Sequence, residues 1–415
     1  MGPYIFPVQG IRIDHFVIYI MSIYLIFRNI KNFYYAKKNI FVQSILLTFL
    51  SLIIVFIART FTTFSYASIF KVFADLDNYT QPILLTFILY YLIYDLKIED
   101  ISNIFIFIYK NICILLIVNT FLAISSIFYG PWFIEYFNTS GNVEEGAVTV
   151  FDIATRGGRF SGIFNQPIEA GVSYGLMLIT STYIYYQKKL NKLIISNLFI
   201  LISTIFIFIG GILSVSKVFF PLSFFISSII FIYYNKNKLL TILKTVFSIF
   251  SILFILIVTI FSQWEGSDYF LRLIYIAEDQ DLISLYTADR FSGDNNEGAI
   301  ITKQLNNPDL VLGLGFGSIQ TPDNAYLEIL YFGGYIAIII YLFFFIILFY
   351  FTFKYRNYDK NTSIFIFSLI IFILISGLGA PIFGMNRSNI FLVSILISTF
   401  ILLYKKRISN LLSYL

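Results

Sequence analysis

The amino-acid sequence predicts an all-α polytopic membrane protein, and three observations carry that reading. The 415 residues are 58% hydrophobic and 20% aromatic but only 12% charged, with a mean hydropathy of +0.83. A soluble domain carries about 25% charged residues, so this chain lacks the charge to coat a water-facing surface. Apolar runs of bilayer length recur from end to end. Lysines and acidic residues then sort onto alternate connections between those runs.

A bilayer core of about 30 Å takes about 20 apolar residues per helix. On that ruler about eleven spans lie near 13–30, 40–58, 79–96, 103–128, 167–186, 193–213, 218–234, 241–262, 333–353, 362–380 and 388–404. Ile, Phe and Tyr dominate them. In lipid the backbone must satisfy its own hydrogen bonds, so β-branched residues do not prevent helix there. The whole of 1–415 reads as a single integral membrane domain with two wet inserts, 130–166 and the larger 263–324. The opening MGPYIFPVQGIRID has no basic stretch ahead of its apolar run, so the first span is expected to double as the targeting signal.

Orientation follows from the side on which positive charge collects. Lys31, Lys37 and Lys38 share one side with Lys188, Lys189 and Lys192, with Lys236, Lys238 and Lys244, with Lys354, Arg356 and Lys360, and with the tail Lys405, Lys406 and Arg407. Of the 23 acidic residues only Asp95, Glu99, Asp100 and Asp359 fall on that side. The C-terminus is therefore expected on the cytoplasmic side, the N-terminus outside, and both inserts facing outward. Arg12, Arg59, Lys71, Arg156, Arg159, Lys217, Arg272, Arg290, Lys303 and Arg387 are kept outside against the bias, and each is a candidate for a specific role.

Counting excludes some chemistry. Cys113 is the only cysteine and His15 the only histidine, so neither an internal disulfide nor a His/Cys zinc cluster can form. No metal and no cofactor is expected. The net charge of +5 is a topology signal, and nothing points to nucleic acid.

Three stretches could carry chemistry. In TRGGRFSGIFNQPIEAGVSYG, Arg156 and Arg159 precede a helix with Pro167 in its first turn, Asn165 as a candidate N-cap and Glu169 close behind. Guanidinium groups beside a helix N-terminus suit phosphate oxygens. Lipid headgroups or loop acids such as Asp152 are the alternative partners. In GGILSVSKVFFP, Lys217 sits in a very short outer turn, where it either neutralises an anionic substrate or snorkels to the headgroups. In LGLGFGSIQTPDNAYLEILYFGGY, Gly313, Gly315 and Gly317 would let backbone N–H groups approach a ligand. No strand precedes them, so a dinucleotide site is not expected. Asp323 and Asn324 stand at a helix mouth, Asp323 as cap or as chemistry, with Glu328 about one turn on. Gly333–Gly334 permits a bend or a close helix contact.

These stretches resemble the bacterial O-antigen polymerase and O-antigen ligase family. The resemblance rests on Arg159, Gly162, Ile163, Phe164, Asn165 and Pro167, on the G-x-G-F-G-S…D-N-A-Y-L-E-I-L…G-G segment, and on the SVSK turn, which has lysine where the family has arginine. It covers most of the chain as architecture and about forty residues as motif. It implies a GT-C-like, metal-independent glycosyltransferase that moves a glycan from an undecaprenyl diphosphate carrier. Arg159 and Arg290 are the positions matched to diphosphate-holding arginines. The implied partners are that lipid-linked oligosaccharide, membrane lipid and a chain-length regulator. Ligases usually carry a histidine before the asparagine of the late segment, where this chain has Asp323. That departure favours the polymerase branch over the ligase.

The residues alone support the same chemistry. A diphosphate leaving group needs fixed positive charge, which Arg290, Arg159, Arg272, Arg156 and Lys217 can supply. An acceptor hydroxyl needs a carboxylate, for which Asp323, Glu169 and Glu328 are the candidates. Asn165 and Asn324 are candidate substrate contacts. Trp264 and the tyrosines could stack on sugar rings, although at an interface such rings are commonly anchors. The competing class is a flippase for lipid-linked oligosaccharide. A transporter would show charge or broken helices at mid-membrane, whereas the spans as read are nearly free of charge, with Lys110 the main exception.

Overall fold

The computed structural model describes residues 12–28, 40–62, 69–93, 96–130, 132–133, 154–155, 157–164, 166–190, 193–234, 311–317 and 324–412. Regular structure among them is helical: α1 (Ile13–Arg28), α2 (Ile40–Thr62), α3 (Ile69–Ile93), α4 (Ile98–Tyr129), α5 (Pro167–Lys189), α6 (Asn197–Leu213), a π-helical turn (Val218–Ser223), α7 (Phe224–Tyr234), α8 (Ala325–Tyr355), α9 (Lys360–Ser376) and α10 (Asn386–Leu412). Four segments are long and apolar enough to cross a membrane: Val42–Thr62, Ile98–Tyr129, Ala325–Tyr355 and Arg387–Ile408. Asn197–Leu213, Pro221–Tyr234 and Lys360–Ser376 are shorter apolar helices. The fold is all-α, and its apolar helices fit a multi-pass membrane protein.

The spans expected from sequence each fall on a helix, except 241–262, which lies outside the described residues. Two starts differ. Helix α3 begins at Ile69 instead of near 79, and α8 at Ala325 instead of near 333. Hydropathy stops a span at Lys71, Asp75, Asp77 and Glu328, whereas the helices continue through them. The three acids are buried against neighbouring helices. Charge inside a bundle is tolerated when protein partners replace water.

The described residues form two compact units, divided within α4 between Ile112 and Cys113. The first holds α1 to α3, the start of α4, and residues 311–412. There α3 packs on α1, α2 and α10, while α8 packs on α2 and α9. Phe56, Tyr79, Phe316 and Phe332 form a ring cluster with centroids 5.1 to 6.1 Å apart, mostly edge-to-face as ring quadrupoles prefer. The Gly333–Gly334 pair serves both expected purposes. Gly334, at φ 63° and ψ −159°, breaks α8 into two helical pieces. At Gly333 a Cβ would stand 2.7 Å from the Phe56 ring.

The second unit holds the rest of α4, the 154–164 segment, α5, α6, the π turn and α7. Helix α5 is buried along most of its length and packs on α6, the π turn and α7. Pro221 lies inside the π turn. Its missing N–H and its ring disfavour a regular α register there.

Candidate functional site

Each unit carries part of what the sequence singled out. In the second unit the arginine-bearing loop segment is built onto the bundle by a neutral polar core. Asn119 of α4 donates from Nδ2 to Ser161 O at 3.1 Å and to Tyr174 Oη at 2.9 Å, and its Oδ1 accepts from Ile163 N at 2.7 Å. Thr120 Oγ1 is 2.9 Å from the same phenol. Gly162, at φ 65°, lies so close that a Cβ would stand 2.2 Å from Asn119 Oδ1. An asparagine in an apolar run is the one signal in the sequence that could have flagged this anchor.

The same segment meets the SVSK turn. Phe160 N donates to Leu213 O at 2.8 Å, and Phe160, Leu213 and Ala123 form one buried cluster. A Cβ on Gly171, in the second turn of α5, would stand 2.2 Å from Ser216 Oγ. The structure therefore brings the 159–164 segment, the start of α5 and the 214–217 turn to one place. Arg159 and Lys217 are half-buried there, and Glu169 is buried. Positions 169 and 171 lie about 200° apart around a helix, so Glu169 leaves α5 on the side opposite the SVSK turn. The cap of α5 differs from expectation. Gln166, not Asn165, occupies the N-cap, without a side-chain cap bond, and Pro167 follows it.

In the first unit the glycine-rich stretch is clamped. Gly313, Gly315 and Gly317 have φ of 76°, 81° and 75°. A Cβ on Gly315 would meet Thr60 N at 2.3 Å. Arg59 Nε donates to Gly313 O at 2.7 Å. Leu314 N and Gly315 N donate to Tyr331 O and Phe332 O at 2.6 and 3.0 Å. Phe316 N donates to Thr60 Oγ1 at 2.8 Å, and Gly317 N to Asp75 Oδ2 at 2.9 Å. The amides from 314 to 317 thus hold protein, which corrects the expectation that these glycines free them for a ligand. Arg59, singled out by the expected charge sorting, holds the loop here.

Asn324 is the N-cap of α8. Its Oδ1 accepts from Tyr326 N and Leu327 N at 2.9 and 3.1 Å, and its Nδ2 donates to Leu378 O at 2.8 Å. The cap is one residue later than Asp323, which lies outside the described residues. Glu328 is buried in the first turn, hydrogen-bonded with Tyr79. Gly384 presses on its carboxylate, so a Cβ there would stand 2.6 Å from Oε1.

A second buried group in this unit gives Arg12 partners that were not legible in advance. Arg12 Nη2 lies 2.9 Å from His15 Nε2 and 3.1 Å from Asp14 Oδ2. Arginine only donates, so Nε2 accepts and the ring proton sits on Nδ1. That nitrogen is 2.5 Å from Asp77 Oδ2. Asp77 Oδ1 accepts from Tyr19 Oη and, at 2.9 Å, from Gln81 Nε2. Arg12, His15, Asp77 and Gln81 are all buried.

Arg290, Arg272, Arg156, Asn165 and Asp323 lie outside the described residues, as do most of 130–166 and most of 263–324. Comparison with family models, with curated proteins and with solved structures finds no match to this chain.

Proposed function

We propose that this protein is a polysaccharide repeat-unit polymerase. It transfers a growing glycan from an undecaprenyl diphosphate carrier to a new lipid-linked repeat unit, for O-antigen or capsule. The observation that supports this best is the convergence in the second unit of the Arg159 segment, the uncapped start of α5 and the Lys217 turn. Fixed guanidinium and ammonium groups beside a helix N-terminus suit a diphosphate whose charge grows as the glycosidic bond breaks. Arg290, Arg272 and Arg156, outside the described residues, stay further candidates for diphosphate charge, and Asp323 and Glu169 candidates for the acceptor hydroxyl. About eleven spans, a GT-C-like arrangement, an inner-membrane location and an outward-facing site belong to the same proposal. The ligase branch stays second, because of Asp323 in place of a histidine.

A flippase gains from a specific observation. Asp75, Asp77, Glu328, Arg12, His15 and Arg387 are buried inside the first unit, so charge within the bundle is more abundant than the span boundaries implied. The glycan ladder of a deletion strain separates the readings. Loss of a polymerase leaves single repeats on their acceptor. Loss of a ligase leaves free lipid-linked polymer, and loss of a flippase leaves repeat units on the cytoplasmic leaflet. Either of the last two outcomes removes the polymerase assignment.

A further inference from the structure

Among the described residues, the hydroxyl of Ser216 meets no hydrogen-bonding group. Ser214 Oγ, two residues earlier, donates to Gly211 O at 2.7 Å, but Ser216 Oγ is buried without a hydrogen-bond partner, on a residue only 3% exposed. A buried hydroxyl left unpaired costs about 1–3 kcal/mol. The turn that places it is strained as well. Val215, between the two serines, has φ of 43°, a left-handed conformation that a β-branched residue rarely adopts. Ser216 Oγ lies against Gly171, where any side chain would collide with it.

Gly171 shares a helix face with Pro167, four residues earlier. The hydroxyl therefore sits beside the first turns of α5, the face that follows an N-cap with no capping side chain. The positive end of the helix dipole is there. Lys217 adds positive charge from the next position, and the Glu169 carboxylate leaves the helix on the other side.

We infer that Ser216 is a ligand-binding residue that donates a hydrogen bond to a phosphate oxygen of an anionic lipid held at the N-terminus of α5. The choice of a diphosphate lipid rests on the proposed function; the phosphate chemistry does not. Gly171 is the matching small residue, since a side chain there would displace the Ser216 hydroxyl. Neither residue belongs to the charged set assigned to leaving-group stabilisation.

The test is binding by the full-length protein in phosphatidylcholine nanodiscs, with a polyprenyl diphosphate in one arm and phosphatidylglycerol in the other. Removing one hydrogen bond to a charged group is expected to weaken binding about tenfold in Ser216→Ala. Gly171→Ala is expected to weaken it similarly by pushing the Ser216 hydroxyl out of place. Ser216→Ala binding as tightly as the wild-type protein overturns the inference, as does a wild-type protein that binds neither lipid. Equal binding of both lipids, each weakened by Ser216→Ala, supports the Ser216 site and removes support from the glycan-carrier reading. If the variants do not accumulate, amide exchange of 166–171 in the wild-type protein decides. Protection on adding the diphosphate is expected, and unchanged exchange refutes the inference.

Discussion

The two units stabilise buried polar groups by opposite means. The first encloses ionic side chains: Arg12 and Asp77, bridged by His15 and joined by Tyr19 and Gln81, and Asp75 beneath the glycine loop. The second encloses neutral amides and hydroxyls, Asn119, Thr120, Tyr174 and Ser161, and leaves Arg159 and Lys217 half-buried. Enclosed charge holds the packing of the first unit, whereas in the second a neutral core does so beside the two half-buried cations of the proposed site.

That contrast orders the expected effects of mutation. Asp77→Ala removes the acceptor of His15, Tyr19 and Gln81 and leaves Arg12 with Asp14 as its carboxylate partner. Breaking a buried ionic group costs about 3–5 kcal/mol, so this variant should show the largest fall in unfolding midpoint in detergent. A fall no larger than that of a surface substitution would mean the first unit does not depend on its enclosed charge. Asn119→Ala removes three hydrogen bonds from the neutral core and should cost about 2–3 kcal/mol by the same assay. It should also release the 159–164 segment to proteolysis.

The glycines sharpen the comparison. At Gly315 a Cβ meets backbone, Thr60 N at 2.3 Å, while at Gly162 it meets the Asn119 side chain. Both positions have positive φ, which adds about 1–3 kcal/mol of strain. Gly315→Ala should destabilise more than Gly162→Ala, because a side chain can rotate and a helix backbone cannot. The reverse order would show that the loop clamp is looser than its hydrogen bonds indicate.

The smallest effect concerns pH. Asp359 caps α9, accepting from Asn361 N and Thr362 N at 3.1 and 3.2 Å and from Thr362 Oγ1 at 2.8 Å, and pairs with Lys406. Burial alone would raise its carboxyl. The Lys406 ammonium and the Thr362 bonds outweigh burial and hold it below the usual carboxylate range. Because the folded value is the lower one, this pair stabilises fully above the ordinary aspartate range near pH 4. The contribution is lost as pH falls through the depressed folded value. Lys406→Ala should flatten that part of the stability–pH curve. An unchanged acid limb would show that the pair does not contribute.

Much of the fold was legible because hydropathy reads length and composition directly, and helices in lipid have little choice of conformation. The bend at Gly334 was legible for the same local reason. The starts of α3 and α8 were not, since hydropathy treats Asp75, Asp77 and Glu328 as the end of a span, and only tertiary partners make them interior. The site was partly legible. The expected sorting of charge drew notice to Arg12 and Arg59, which hold structure, and to Arg159 and Lys217, which the proposed function uses. Nothing local in the sequence says that the 159–164 segment lies on Leu213, or that Ser216 meets Gly171. Those contacts depend on α4, α5 and α6 packing together.

The central claim is that the convergence of the Arg159 segment, α5 and the Lys217 turn handles a diphosphate-linked glycan. The most direct measurement is the glycan chain-length ladder in cells carrying Arg159→Ala, with the variant inserted at the wild-type level. Collapse of the ladder to single repeats is the expected result. A ladder indistinguishable from wild type would contradict the claim.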